Sequence, residues 1–210
     1  TLYTKIQQHI IKVRQKGKAI LTEMAQKLYL IFSVTPFKTG TFIRAMTHWQ
    51  YNHVAVAFDK DLKEMYTFAR YYRSVPLYGG FVRDSKERYI YKKKTAYVKI
   101  CEVPVSEEGY RLVKDYIDAI NDYPAEYIYN IFSAITVPLK KRVLIRNAFT
   151  CAEFAIQILS MAGTEIERDR FYAIDELADF FDSYTVYEGI YRFENTLPQN
   201  DFEEKKWLWF

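Results

Sequence analysis

Thr150-Cys151-Ala152-Glu153, running into Phe154-Ala155-Ile156-Gln157-Ile158-Leu159, constrains the fold of this chain more than any other stretch. A threonine three residues ahead of a glutamate is a capping box, in which hydroxyl and carboxylate satisfy the free amides of a helix start. It predicts a helix whose first turn holds Cys151. Cys151, Phe154, Ala155, Ile158 and Leu159 fall on one face, and Gly163 supplies the stop. His53-Val54-Ala55-Val56-Ala57-Phe58, earlier in the chain, reads as a buried strand. The expectation is an α+β domain with a cysteine at a helix N-terminus and a histidine at a strand start. A thiolate in such a place is favoured by the helix dipole and by a facing imidazolium, which is the layout of a cysteine–histidine nucleophile site.

With 210 residues the chain suits one core. Hydrophobic residues make up 50% and charged residues 27%, which excludes a disordered chain. Nineteen tyrosines and fifteen phenylalanines suit either an aromatic core or a cleft for an apolar substrate. A net charge of +4, with no basic stripe interleaved with aromatics, does not point to nucleic acid. Two cysteines at unrelated positions give neither a disulfide framework nor zinc-ligand spacing, so no metal and no cofactor is expected. No apolar run reaches the roughly 20 residues of a membrane span. The start of the chain lacks a signal-peptide core, and a reducing cytoplasm fits these features best.

Along the chain, residues 1–27 read as a basic N-terminal helix, residues 28–192 as the main domain and residues 193–210 as a tail. Lys5, Lys12, Arg14, Lys16 and Lys18 precede the first acid at Glu23. That face suits peripheral contact with an anionic membrane, or plain solvation. Strands are expected at Leu28 to Val34, from His53, at Glu64 to Arg70, at Ala96 to Val103 and around Thr185 to Tyr191. Helices are expected at Thr41 to Thr47, from Ser106 to Ile120, within Tyr127 to Leu139 under the site, from Cys151, and at Ile174 to Phe181. Residues 71–94 read as loop, with Gly79-Gly80 as a turn.

Tyr51-Asn52-His53-Val54-Ala55-Val56-Ala57, Met65-Tyr66-Thr67-Phe68-Ala69-Arg70, Gly79-Gly80-Phe81-Val82, Tyr129-Asn130, Phe149-Thr150-Cys151-Ala152-Glu153-Phe154 and Val186-Tyr187-Glu188-Gly189 together resemble the circularly permuted NlpC/P60 superfamily, in its YiiX/YaeF-like branch. The resemblance implies a papain-like α+β fold, with the nucleophile's helix packed on an antiparallel sheet that carries the histidine. It implies thiol hydrolysis or acyl transfer on the amide or ester bond of a small-molecule, peptide or lipid-type substrate. Cys151 would be the nucleophile and His53 the general base. Thr67 matches the third position, which in this branch is often an acid, and Glu64 is an alternative orienting group. Tyr51 and Asn52 flank the base as candidate substrate contacts, and the Cys151 amide is the first candidate oxyanion donor. Because a hydroxyl cannot stabilise imidazolium as a carboxylate does, a catalytically weak domain that binds a lipid or peptide stays open beside the enzyme. Cys101 reads as a structural thiol, His48 as a weaker candidate base and His9 as a solvated side chain.

Overall fold

A computed structural model describes residues 26–34, 50–71, 78–84 and 96–191. Eight strands form one sheet: β1 (Gln26–Ser33), β2 (His53–Ala57), β3 (Met65–Arg70), β4 (Gly79–Asp84), β5 (Ala96–Val105), β6 (Ile128–Tyr129), β7 (Ala148–Phe149) and β8 (Thr185–Tyr191). Their order is β7-β6-β4-β3-β2-β1-β5-β8. Every pairing is antiparallel except that of β6 with β7. Among the described residues four α-helices accompany it: α1 (Glu107–Asp122), α2 (Ile131–Thr136), α3 (Cys151–Met161) and α4 (Ile174–Phe180).

Strict alternation along the central strands decides which side chains meet which layer. Leu28, Leu30 and Phe32 of β1, Val54 and Val56 of β2, and Tyr66 and Phe68 of β3 belong to the main core with Phe154, Ile158 and Leu159 of α3. Tyr29, Ile31, Ala57, Met65, Val98 and Ile100 form a smaller cluster, completed by Tyr191 of β8. The α3 helix lies over β2 and β3, and α1 packs on α3 and β1. Phe68 is central: its ring lies 5.1 Å from that of Phe154 and 5.2 Å from that of Phe149. Emptying such a site costs about 3–5 kcal/mol, so the sheet and α3 hold one another firmly.

Several boundaries move from the sequence expectation. Gln26 and Lys27 already belong to β1 instead of ending a helix, because they continue its ladder to Val105 and Pro104 of β5. The remainder of the basic N-terminal helix, the Thr41 to Thr47 helix and the 193–210 tail lie outside the described residues, as do His9 and His48. The larger correction is β4, which occupies part of the expected loop. Gly79 and Gly80 are strand residues paired with Arg70 and Ala69. A Cβ on Gly80 would stand 2.5 Å from the Tyr127 carbonyl oxygen and from the Tyr71 hydroxyl, so glycine permits close backbone approach there. Among the described residues no helix is long and apolar enough to cross a membrane.

Candidate active site

The first turn of α3 is built as its sequence predicts. Thr150 Oγ1 accepts a hydrogen bond from the Glu153 amide at 3.2 Å, and Glu153 Oε2 accepts one from the Thr150 amide at 2.8 Å. Glu153 is buried, and its second oxygen is also occupied. Ser133 Oγ donates to Oε1 at 2.7 Å, and the Arg142 guanidinium lies 3.5 Å from the same atom. Asn130 caps α2 by accepting from the Ser133 amide, and donates to the Val143 carbonyl at 2.8 Å. One carboxylate thereby ties the helix start to the 130–143 segment beside it. Cys151, the first residue of α3, is held at this junction and is 7% exposed.

His53 opens β2 opposite Ser33 of β1. The chain entering the strand is fixed from α4, whose Asp175 carboxylate accepts hydrogen bonds from the Gln50 and Tyr51 amides. The His53 side chain is 14% exposed, and its Nε2 lies 3.2 Å from Oδ2 of Asp84, the last residue of β4. The Cys151 side chain is near enough for its charge to act on the imidazole. Burial alone would push the imidazolium pKa down. The hydrogen bond to Asp84, with the negative charge that Asp84 and Cys151 can each carry, outweighs it and holds His53 at about 9.

The residues proposed from sequence separate here. His53 and Cys151 come together, and Asn52 lines the cleft beside the sulfur. Tyr51 does not line it. Its ring is in the main core, 3% exposed, and its hydroxyl donates to Glu188 at 2.9 Å, so it braces β2 against β8. Thr67 is fully buried on β3 and spends its hydroxyl proton on the Val54 carbonyl at 2.8 Å. That bond ties β3 to β2, while a carboxylate from the next strand takes the place beside the imidazole. Glu64 precedes β3 in the turn after β2, where its amide donates to Asp59 and its carbonyl accepts from Phe58. Cys101 is fully buried on β5 against Thr185, and burial pushes its thiol up to about 11.

Asp84 is the residue that sequence reading missed. Phe81-Val82-Arg83-Asp84 has strand character, but the two preceding glycines read as a turn and the run was assigned to loop. The available signal was alternation: Phe81 faces Phe68 across the ladder, and the ladder continues to Asp84 opposite Met65.

A narrow cleft opens over Cys151. Asn52, Tyr129, Ala134, Val137, Ile156, Phe171 and Tyr172 contribute to its walls, so an acyl group would meet mainly apolar surface. Burial, and secondarily the charge available to Cys151, raise the Tyr129 phenol, which keeps its proton as a donor near the sulfur. Among the described residues, no three His, Cys, Asp or Glu side chains are grouped to hold a metal ion. No protein-family description, curated protein or solved structure matches this chain.

Proposed function

We propose that this protein is a cysteine-dependent hydrolase or acyltransferase that cleaves an amide or ester bond through an acyl-enzyme on Cys151. The observation that carries the reading is the His53 imidazole held between a buried carboxylate, Asp84, and the thiol at the start of a buried helix. The order of parts, with the histidine strand ahead of the cysteine helix and that helix lying over β2 and β3, supports a permuted NlpC/P60-like arrangement. Thr67 offers no charge to the imidazolium, which is what a binding-only domain would present. Asp84 supplies one.

In the reaction, the thiol proton resides on His53 and the Cys151 sulfur attacks the carbonyl carbon. A C–S bond forms and the carbonyl π pair moves to oxygen, where the Cys151 amide at the helix start is the nearest fixed donor. Collapse of this intermediate breaks the bond to the leaving nitrogen or oxygen, which takes the proton from imidazolium. Neutral His53 then draws a proton from water, or from an acceptor alcohol or amine, as that molecule attacks the thioester. The thiolate departs while the proton stays on His53, which restores the starting thiolate–imidazolium pair. Asp84 keeps the ring oriented and favours its charged form through both halves.

The test is turnover of chromogenic thioester, ester and amide substrates by the parent, Cys151→Ala and His53→Ala. Both substitutions should abolish turnover and leave the circular dichroism spectrum unchanged. A Cys151→Ala protein as active as the parent would refute the reading.

A further inference from the structure

The segment between α1 and α3 has two sides. Inward, Ser133, Ala134, Val137 and Arg142 line the cleft over Cys151. Outward, Phe132, Ile135, Leu139 and Leu144 are 59%, 67%, 67% and 77% exposed, and Ile128 and Ile145 extend the same apolar run. This is not a frayed loop. Ser133 Oγ accepts from the Val143 amide at 2.8 Å, Thr136 Oγ1 donates to the Lys141 carbonyl at 2.8 Å, and Asn130 and Glu153 secure the base. A rigid element is spending its hydrogen bonds to hold aliphatic side chains in water.

Its charge says what covers it. From residue 127 to residue 152 there is no Asp or Glu, and the charged residues are Lys140, Lys141, Arg142 and Arg146. Arg142 turns inward to Glu153, while Lys140, Lys141 and Arg146 are exposed among the aliphatics. Lysine is depleted in protein–protein contacts. Bulky aliphatic and aromatic residues rimmed by lysine and arginine suit an anionic bilayer, where the apolar groups enter the acyl boundary and the cations meet lipid phosphates and carboxylates.

We propose that the 128–146 segment is a membrane-docking surface that seats the protein on an anionic bilayer with the Cys151 cleft at its edge. Docking is independent of turnover. Delivery of bilayer lipid to the cleft additionally rests on the thiol reading given above.

The experiment is co-sedimentation of the full chain with vesicles of phosphatidylcholine and phosphatidylserine at roughly 3:1, against phosphatidylcholine alone, at roughly 0.1 M and 0.5 M salt. The parent should bind the anionic vesicles and be released by salt. Leu139→Asp combined with Leu144→Asp should abolish binding. Lys140→Gln combined with Lys141→Gln should weaken it about thirtyfold, from about fivefold per charge, and keeps the test decisive if the aspartates disturb folding. Cys151→Ala should bind like the parent, which separates failure of docking from failure of catalysis. The proposal is overturned if the parent ignores anionic vesicles, if the substituted proteins bind as well as the parent, or if the substitutions instead dissolve a self-association or a protein complex.

Discussion

Asp84→Asn isolates the electrostatic part of the site. The amide oxygen of asparagine can still accept the Nε2 proton of His53, so ring orientation is retained while the buried charge 3.2 Å away is removed. A hydrogen bond to a charged group contributes about 1.5–3 kcal/mol, and each pH unit of displacement corresponds to about 1.4 kcal/mol. His53, held at about 9 in the parent, should therefore titrate about one to two pH units lower in the variant. Loss of the same energy from the ion pair corresponds to about a ten- to hundredfold loss of turnover. The direct assay is the His53 ring-proton shift followed by NMR against pH. A second is the pH dependence of alkylation at Cys151, read peptide by peptide with Cys101 as the internal control, since Cys101 is pushed up to about 11 and should react slowly. If the His53 titration in Asp84→Asn overlays that of the parent, the carboxylate does not hold the imidazolium and the assignment of Asp84 fails.

Thr67→Val should leave that titration in place while costing about 1 kcal/mol in urea unfolding, because only the bond to the Val54 carbonyl is lost. A shift as large as that of Asp84→Asn would return Thr67 to the site. His53 also links stability to pH. Its folded value lies above the unfolded value of about 6.5, so the stabilisation, about 3 kcal/mol, is fully present below about pH 6.5 and is lost as pH rises through about 9. Unfolding of the parent against His53→Gln across this range should show the difference shrinking towards alkaline pH, and a constant difference would refute it. Glu153→Ala should cost about 3–5 kcal/mol, since it removes the cap acceptor and the Ser133 acceptor together and strands Arg142, largely buried, without its carboxylate. A thermal melt lowered by no more than a typical surface substitution would show the network to be slack.

What was legible in the sequence was local or periodic. The capping box placed Cys151 in the first turn of α3 because hydroxyl, carboxylate and amides lie within four residues, and alternation placed β2, β3 and β5. The pairing of His53 with Cys151 rested on the layout of the two segments and on resemblance, since no local rule brings β2 beneath α3. Asp84 was hidden because glycines that end one strand in isolation here sit inside another, pressed against Tyr127 and Tyr71, and that constraint comes from a neighbouring segment. Tyr51 was misplaced for a related reason. Residues before a base look available to substrate until Glu188, on the strand at the far edge of the sheet, claims the hydroxyl. The bilayer-facing character of 128–146 was likewise invisible, because an apolar run with helical spacing reads as core unless its exposure is known.

The strand order has a consequence for synthesis. β1 is an interior strand between β2 and β5, and its ladder to β5 joins Gln26 to Val105. As the chain leaves the ribosome, His53 and Asp84 emerge early, but their sheet lacks an interior partner until β5 has appeared, and the sulfur arrives only with α3. Pairings this distant in sequence form slowly compared with local turns. In a nascent chain the Cys151 thiol therefore meets His53 only when the last third of the domain docks. Gain of Cys151 reactivity during refolding would time that closure.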